Sequence, residues 1–435
     1  MRALCPQPEA PFEMRLFPSR IPSLDIKLPL NLGRRSGQEL VGLDIQPGFV
    51  AAVRARVNGS ILAEQAATVA LPGDAMRDGE VMDESALSDA LRQLFSNSGL
   101  SKRVRVGVAN QRTVLRTLEL PPVTDHKELA AAVNFQAQDQ VPMPLANAVM
   151  DFHPLGIVDT PAGPRQRVVL VAAQRDMIER LLAAVRHAGL SPEGVDLSAF
   201  ALIRSLYRAN PEQEGRVLYL NVDGLSNLAI AEGTVCRFTR VVGGGLEGMA
   251  SELAQRRSIA ISEAREILAG VDLTAPSPAE QVTSADEAPA TAQSSGAVEP
   301  EPELDEPVDS DGADEHERTM SYEEMAAVEP MPAPQLSASD TDALTVLENG
   351  IRDISGEVRN SLDFHRSQDG GGEVSHVVLS GSVQDIPGFA EALQASLGVE
   401  VRVQELAVVD EGLVENVSPH RLAVATGLAA AEVAQ

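Results

Sequence analysis

The sequence predicts an α/β fold built from two comparable lobes. Short apolar runs of strand character recur between longer segments whose apolar residues are spaced three or four apart, as in helices. Two predicted β-hairpins open the two halves of the chain, and each carries an aspartate close to its turn. At 435 residues the chain is also longer than one average domain, so two or more packed units are expected.

The first predicted hairpin is Val41–Val53, which reads VGLDIQPGFVAAV. Apolar and small or polar residues alternate up to 46–48, where proline and glycine supply the turn. Asp44 lies inside the first strand, and a lone carboxylate in an apolar strand needs a partner, often a metal or a polar ligand. The alternative interpretation is an ordinary N-terminal hairpin of an α/β domain.

The second half opens at about Gly215 with a similar pattern. A buried strand, Val217–Val222, leads through an acidic turn at Asp223 into a strand at 228–231, and a third strand follows at 235–242. The chain therefore contains two hairpins of the same kind. The pair of hairpins is more informative about the fold than either hairpin alone.

The other elements follow from periodicity and turn signals. Helices are predicted near 85–96, 124–140, 175–187, 199–208, 249–257, 262–268, 344–364, 389–397 and 419–434, with Thr124 as one N-cap. Strands are predicted near 104–108, 113–120, 149–155, 167–173, 195, 374–379 and 399–403. Residues 243–248, GGGLEG, formally match a dinucleotide-binding motif, but we favour a tight passage from hairpin to helix because no acidic strand end follows.

Composition excludes several classes of function. The net charge of −28 argues against nucleic-acid binding. Two cysteines give neither a disulfide framework nor a zinc motif. No apolar run approaches the length of a membrane-spanning helix, and prolines interrupt the N-terminus. We therefore expect a cytoplasmic protein without direct membrane insertion.

Two segments are predicted to be disordered. Residues 1–38 form a Pro-rich, locally basic arm, of which Leu24–Leu32 is the piece able to dock as an extended peptide. Residues 272–340 hold 18 acidic residues, nine prolines and a single arginine, so they cannot bury enough apolar surface to fold. Within this acidic insert, Met320–Ala327 is a candidate short docking helix.

Five stretches carry a family resemblance. They are LELPPVTDHKELAAAVNFQAQDQVPMPL (118–145), VVLVAAQRDMIERLLAAVRHAGLSPEGVDLSAFALIRSL (168–206), SLDFHRSQ (361–368), VVLSGSVQDIPGF (377–389) and RLAVATGLA (421–429). In sequence and order they resemble the PilM family of type IV pilus assembly proteins, which are actin-like and related to the cell-division protein FtsA. The resemblance covers about 41–270 and 344–431.

The resemblance implies a ribonuclease H-like, actin-like fold of two lobes with an inserted small α+β domain. The predicted segments are an arm (1–38), lobe 1 (39–111), the inserted domain (112–190), a return to lobe 1 (191–214), lobe 2 (215–271), the disordered acidic insert (272–340), and the rest of lobe 2 with a return helix (341–435).

The resemblance also implies ATP, with Mg²⁺, held between the lobes by two phosphate hairpins and an adenosine loop. The matching positions are Asp44, Gln46, Gly48, Asn221, Asp223, Gly224, Ser380, Gly381 and Ser382, with Asp44 as the Mg²⁺ position. No residue is assigned a catalytic role.

The sequence departs from the family pattern at these positions. In the first hairpin Gln46 replaces a glycine, Phe49 stands among hydroxyl positions, and Ala51 or Ala52 stands where a lysine is usual. In the second hairpin Asn221 replaces the aspartate and Asp223 the glycine, and the adenosine loop reads Ser382-Val383 for two glycines. Backbone N–H groups cradle a phosphate only where side chains permit close approach. We therefore expect weak or lost ATP binding.

The predicted function is a cytoplasmic, non-catalytic scaffold of the type IV pilus inner-membrane platform. The resemblance implies binding to the cytoplasmic tail of a PilN-like membrane protein, in a groove beside the inserted domain, with further platform proteins and self-association as possible contacts. The protein would then be peripheral at the inner face of the membrane. The alternatives are an active PilM-like ATPase using Asp44 and Asp223, and an FtsA-like filament protein, which the absence of a basic C-terminal helix disfavours.

Overall fold

The computed structural model describes residues 40–58, 60–208, 215–274, 338–368, 371–404, 406–409 and 417–430. Residues 1–274 and 342–435 make up one compact unit, and residues 275–341 are assigned to a second. The predicted N-terminal arm, most of the acidic insert, and both candidate docking pieces lie outside the described residues.

The strands are β1 (Val41–Gln46), β2 (Phe49–Asn58), β3 (Ser60–Ala70), β4 (Met76–Arg77), β5 (Glu80–Val81), β6 (Arg103–Val108), β7 (Val114–Leu120), β8 (Ala148–Thr160), β9 (Gly163–Gln174), β10 (Ser191–Leu197), β11 (Arg216–Val222), β12 (Ser226–Glu232), β13 (Val235–Val242), β14 (Val374–Ser380) and β15 (Val401–Val403). The helices are α1 (Glu84–Ser98), α2 (His126–Gln140), α3 (Arg175–His187), α4 (Ser198–Leu206), α5 (Leu246–Arg257), α6 (Ile261–Ala269), α7 (Ala338–Ser367), α8 (Phe389–Leu397) and α9 (Ala423–Ala429).

Two five-stranded sheets share one strand order. The first runs β3-β2-β1-β6-β10 and the second β13-β12-β11-β14-β15. In each, three consecutive strands form an antiparallel meander, a later strand pairs in parallel with its first strand, and a further strand pairs in parallel with that later one. The prediction of two comparable lobes is confirmed, and both predicted hairpins form as β1–β2 and β11–β12.

The core consists mainly of two large apolar clusters, and the first of them contains residues of both lobes, including Tyr219, Ala229 and Val378 of the second sheet. In lobe 1, α1, α3, α4 and α9 contribute buried residues to the cluster that contains Val41, Leu43 and Val106. In lobe 2, helices α5 to α8 pack on β11, β12 and β14 around Leu218 and Leu220. Burying these side chains contributes roughly 1.5–3 kcal/mol for each large residue, which stabilises both sheets.

A third, smaller core belongs to the sheet β7-β9-β8, which is inserted between β6 and β10. Leu129 and Val133 of α2 pack on Val168 and Leu170 of β9. The following helix, α3, instead places Met177 and its neighbours in the lobe 1 core. The boundaries assigned to the inserted domain stay a prediction.

The short helix α9 near the end of the described chain packs on lobe 1 by backbone contact. A Cβ atom added at Gly42 would lie 1.9 Å from the Ala425 carbonyl oxygen, and one added at Gly427 would lie 1.8 Å from that of Ala201. Only glycine permits this approach at either position. These contacts place α9 directly against β1 and α4.

Three local predictions were wrong. The N-cap of α2 is Asp125 and not Thr124, because the Asp125 carboxylate accepts hydrogen bonds from the N–H groups of Lys127 and Glu128. The C-terminal segment forms a 3-10 turn at Pro419–Leu422 and then α9, not one helix from 419. Phe364, expected on the buried face of α7, is 52% exposed.

Candidate functional site

The candidate site lies where the turns of the two hairpins meet. Six of the nine positions that the sequence assigns to it are buried polar side chains: Asp44, Gln46, Asn221, Asp223, Ser380 and Ser382. The parallel pairing of β11 with β14 sets Asn221 beside Ser380. The remaining positions are glycines of the same turns. The structure thus brings the predicted site residues together, while their role in binding stays a prediction.

Asp44 has few partners for a buried carboxylate. The Gln46 side-chain amide donates to it at 3.2 Å and 3.4 Å, from the same strand end. Burial, reinforced by the negative charge of Asp223, raises the pKa of Asp44 to about 7, against the lowering effect of Gln46. Near neutral pH this carboxyl group is therefore protonated in about half of the molecules.

Asp223 is held by more groups than Asp44. The backbone N–H of Ser382 donates to its Oδ1 at 2.7 Å, and the Asn221 amide donates to its Oδ2 at 3.1 Å. Burial raises the pKa of Asp223, whereas the hydrogen bonds and the nearby Arg421 guanidinium lower it. Each of the two turn aspartates thus sits beside an amide side chain, but only Asp223 also accepts from backbone of another loop.

The two hairpin turns touch each other. A Cβ atom added at Gly224 would lie 2.4 Å from the carbonyl oxygen of Pro47, so a larger residue at 224 would push the turns apart. Behind them, Gly48 has a φ of +88° and approaches the Glu247 carboxylate. The glycine positions of the site therefore serve turn geometry and close contact between the lobes.

Three charged residues at this site were missed by sequence reasoning. Glu247 forms an ion pair with Arg265 at 2.8 Å, and both line the same cavity as Arg421. The Arg421 guanidinium lies 5.1 Å from the ring centroid of Phe49. A signal for Arg421 existed, since it begins the family-like stretch RLAVATGLA, whereas the positions of Glu247 and Arg265 depend on the packing of α5 against α6.

The glycine-rich loop at 243–248 joins the site from the lobe 2 side. The Leu246 N–H donates to the Asp223 carbonyl oxygen at 2.6 Å, and a Cβ atom added at Gly245 would collide with that same oxygen. The loop connects β13, an outer strand of an antiparallel meander, to α5. This geometry is the tight passage from hairpin to helix that the sequence favoured over a dinucleotide site.

In this conformation the site does not fit a triphosphate. The cavity lined by the two turns, Arg265, Ser382 and Arg421 measures about 20 Å³, which is space for about one water molecule. Small-molecule sites typically measure roughly 300–1,000 Å³. A nucleotide would need the turns to separate and would meet the Gln46 and Asp223 side chains.

The magnesium assignment at Asp44 gains no further ligands from the described residues. Among them, no group of three or more His, Cys, Asp or Glu side chains is placed to hold a metal ion. Asp44 and Asp223 therefore offer two carboxylates and, within the described chain, no third side chain of these types. The magnesium role of Asp44 therefore stays a prediction.

Residues 42–222 match the family model described as Type IV pilus assembly protein PilM. A solved structure of a PilM-PilN type IV pilus biogenesis complex matches with a TM-score of 0.63 and 21% sequence identity, over 90% of this chain and 98% of that chain. The chain resembles PilM. The predicted resemblance and the actin-like α/β fold of two lobes are confirmed.

Other structures similar to this PilM-like chain share less of its geometry. The ethanolamine utilization protein EutJ from Carboxydothermus hydrogenoformans has a TM-score of 0.45 at 14% identity, over 91% of this chain and 90% of its own. MreB 5 of Spiroplasma citri bound to AMPPNP has a TM-score of 0.44 at 12% identity, over 90% and 95%.

No helix of the PilM-like chain, in the part that the structure describes, has the length and apolar character to cross a bilayer.

Proposed function

We propose that this protein is an actin-like scaffold of a type IV pilus inner-membrane assembly platform. It binds the short cytoplasmic tail of a PilN-like membrane protein, and it binds ATP weakly or not at all. The observation that carries the proposal is the likeness, over 90% of this chain, to a PilM solved with PilN. The match of residues 42–222 to the PilM family supports the same assignment.

The inserted domain offers an edge for an extended peptide. In its sheet, β9 is central and β8 lies at one side, so one row of β8 backbone groups faces away from β9. Such an edge accepts a peptide as an added strand, with main-chain hydrogen bonds for affinity and side-chain contacts for specificity. Ile157 on β8 is 64% exposed and would provide an apolar contact there.

Membrane association through this peptide would make the protein peripheral. In cells it would lie at the inner face of the membrane when the PilN-like protein carries its tail, and become diffuse when the tail is deleted. Contacts with other platform proteins, and self-association, would add to this attachment. Membrane retention without the tail would contradict the peptide route.

The proposal is tested by titrating the purified protein into a labelled peptide that carries the PilN-like tail, with fluorescence polarisation as the signal. Saturable binding to the tail, and none to a scrambled peptide, is the expected result. Ile157→Asp should weaken binding by about fivefold or more, since a central apolar contact at an interface contributes more than ~1 kcal/mol. Val57→Asp is the matched control, because Val57 is also an exposed strand residue, on lobe 1. Failure to bind the tail would overturn the assignment.

A further inference from the structure

Strand β3 lies at the end of the lobe 1 sheet, with β2 on one side only. The Leu71 N–H donates to the Gly48 carbonyl oxygen, and the direction of the backbone groups alternates along an antiparallel pair. The N–H and C=O groups of Ala66, Thr68 and Ala70 therefore point away from β2. Among the described residues, no backbone group pairs with them on that side.

The first part of β3 shows that this edge accepts an added segment. The Ala63 N–H donates to the Ala407 carbonyl oxygen at 3.0 Å, and the Val409 N–H donates to the Ala63 carbonyl oxygen at 2.9 Å. Within the described chain this pairing is an isolated bridge and does not continue to Ala66. An unpaired strand edge is a place where another segment can add, so proteins usually cover it or keep it short.

The two faces beside the open edge differ in polarity. On one face, a groove of about 250 Å³ is lined by residues 66–69 of β3 and by Gln93, Leu94, Asn97 and Ser98 of α1. None of these lining side chains is charged. On the other face, Ala66 packs with Val408 and Val417 against a buried apolar cluster. A strand that fits this edge therefore needs an apolar face on the Ala66 side only.

The N-terminal arm contains a stretch with this pattern. Residues 24–32 read LDIKLPLNL, so leucine or isoleucine occupies every even position, and Asp, Lys, Pro or Asn occupies every odd one. Strict alternation is typical of a strand with one apolar face. Pro29 has no N–H, but proline is tolerated on an edge strand where that backbone position points to solvent.

The length of the chain allows this stretch to reach β3 of its own molecule. Val41, where β1 begins, aligns through Arg54 of β2 with Gln65 of β3. A segment antiparallel to β3 would end beside Gln65, three strand spacings or about 14 Å from Val41. Residues 33–40 span up to about 27 Å when extended, which is enough to connect the two.

We propose that residues 24–32 add to β3 of the same molecule as an antiparallel strand and cover its open edge. The even residues lie opposite Ala66, Thr68 and Ala70, so their backbone groups bond to β3 and their leucine and isoleucine side chains extend the apolar face. The odd residues turn their side chains to the groove beside α1 and their backbone groups to solvent, where Pro29 is tolerated. The inference depends neither on the proposed partner nor on nucleotide.

Disulfide trapping in the full chain tests the docking. Thr68→Cys is combined with one cysteine in the arm, placed in turn at each residue from 25 to 31, in a Cys5→Ser background with Cys236 buried. Residues opposite each other in an antiparallel pair have Cα atoms about 5.5 Å apart, within the range of a disulfide. An even position should therefore form an intramolecular disulfide, at least tenfold faster than its odd neighbours.

Hydrogen–deuterium exchange of peptides that cover 64–71 gives an independent measurement without cysteines. In the unaltered chain the N–H groups of Ala66, Thr68 and Ala70 should exchange at least tenfold more slowly than in the double variant Ile26→Asp, Leu28→Asp. The matched control is Leu16→Asp, an apolar arm residue outside the stretch, which should leave this exchange unchanged.

Equal trapping at even and odd positions would overturn the proposal, because an arm that is not docked has no preferred face. Disulfides that form only between molecules would mean that the arm adds to a second copy, which also contradicts it. Slow exchange at β3 that survives the double variant would show that another segment, such as residues 410–416, covers the edge instead of the arm.

Discussion

The two lobes share a strand order but hold their turn aspartates differently. In lobe 1, Asp44 is contacted by the amide of Gln46, two residues along the same strand. In lobe 2, Asp223 draws on Asn221 and on the backbone of Ser382 from a separate loop, with Arg421 nearby. The equivalent hairpins thus differ in how many groups contact the turn aspartate: one neighbouring side chain in lobe 1, and a side chain and a backbone N–H in lobe 2.

This difference shows which parts of a duplicated fold can change separately. The strand order depends on apolar strand residues that pack into two large buried clusters, one of which contains residues of both lobes. The turns depend on a few residues that do not affect those cores. Substitutions in a hairpin turn can therefore replace a contact with a ligand by a contact within the protein, while the sheet of that lobe stays the same.

The largest loss of stability is expected from breaking the buried ion pair of Arg204 in lobe 1. Arg204 of α4 forms a buried ion pair with Asp196, and its Nε donates to the Gly427 carbonyl oxygen at 3.1 Å. Arg204→Ala would leave Asp196 as a buried unpaired charge and should lower the free energy of unfolding by about 3–5 kcal/mol. Urea denaturation measures this loss.

The control for Arg204 is Arg167→Ala. Arg167 pairs with Glu119 at 3.1 Å on the surface of the inserted domain, and both side chains are more than a third exposed. Its removal should cost less than about 1 kcal/mol. Equal losses for the two variants would contradict the role assigned to the buried pair.

A second prediction concerns the pH dependence that Asp44 imposes on lobe 1. Its pKa is about 7 in the folded chain and close to 3.8 when exposed, so between these values the folded state holds a proton that the unfolded state has lost. The free energy of unfolding should therefore fall as pH rises, by about 1.4 kcal/mol per unit, or about 2 kcal/mol from about pH 5 to about pH 6.5.

Asp44→Asn should remove that part of the slope, while Asp139→Asn should keep it. Urea titrations at several pH values give the comparison. Asp223, whose pKa is also raised, would keep some pH dependence in the variant. If the free energy of unfolding of the unaltered chain and of Asp44→Asn changed with pH in parallel, Asp44 would not have the raised pKa assigned to it.

A third prediction tests the backbone contact of α9 with lobe 1. Gly427→Ala would place a methyl group 1.8 Å from the Ala201 carbonyl oxygen and should cost about 1–3 kcal/mol or more. Gly356 of α7 in lobe 2 is the matched control, because an added Cβ meets nothing within 4 Å there. Gly356→Ala should stabilise by roughly 0.5–1 kcal/mol. A neutral Gly427→Ala, measured by the same denaturation, would mean that α9 is not packed this closely.

The sequence was sufficient for the features that depend on local pattern. Alternation in Val41–Ile45 predicts the first hairpin, the mainly apolar run Val217–Val222 and its acidic turn predict the second, and the spacing in Arg175–His187 predicts α3 with the bounds observed. Sequence was insufficient where two candidate N-cap residues are adjacent. Thr124 and Asp125 both suit an N-cap, and only the hydrogen bonds in the structure distinguish them.

The rest of the site could not be predicted because it depends on contacts between distant segments. Gly224 follows a turn aspartate in the sequence, but its contact with Pro47 arises from the packing of one lobe on the other. The bond between Asp223 and Ser382 joins residues 159 positions apart. From sequence, Asp223 was a departure from the family glycine and, in the alternative, a residue of an active ATPase; the structure gives it the backbone N–H of Ser382 as a partner.

The smallest effect is expected from shortening the chain within lobe 2. The acidic insert predicted at 272–340 lies between α6 and the core residues of α7, and the buried core residues of lobe 2 come from both sides of it. Replacing it with a short Gly-Ser linker should shift the melting temperature by only a few degrees, since about 1 kcal/mol corresponds to roughly 2–4 °C in a domain of this size. A cooperative loss of structure on deletion would show that the segment is needed for folding.

The measurement that tests the account most directly is calorimetry with ATP and Mg²⁺. We expect the unaltered chain to bind ATP with a dissociation constant above about 1 mM, which corresponds to less than about 4 kcal/mol of binding free energy. A variant with Gln46→Gly, Asp223→Gly and Ser382→Gly should bind more tightly, because both turns and the adenosine loop would regain close backbone approach. Micromolar binding by the unaltered chain would contradict the account, and the active ATPase would become the better description.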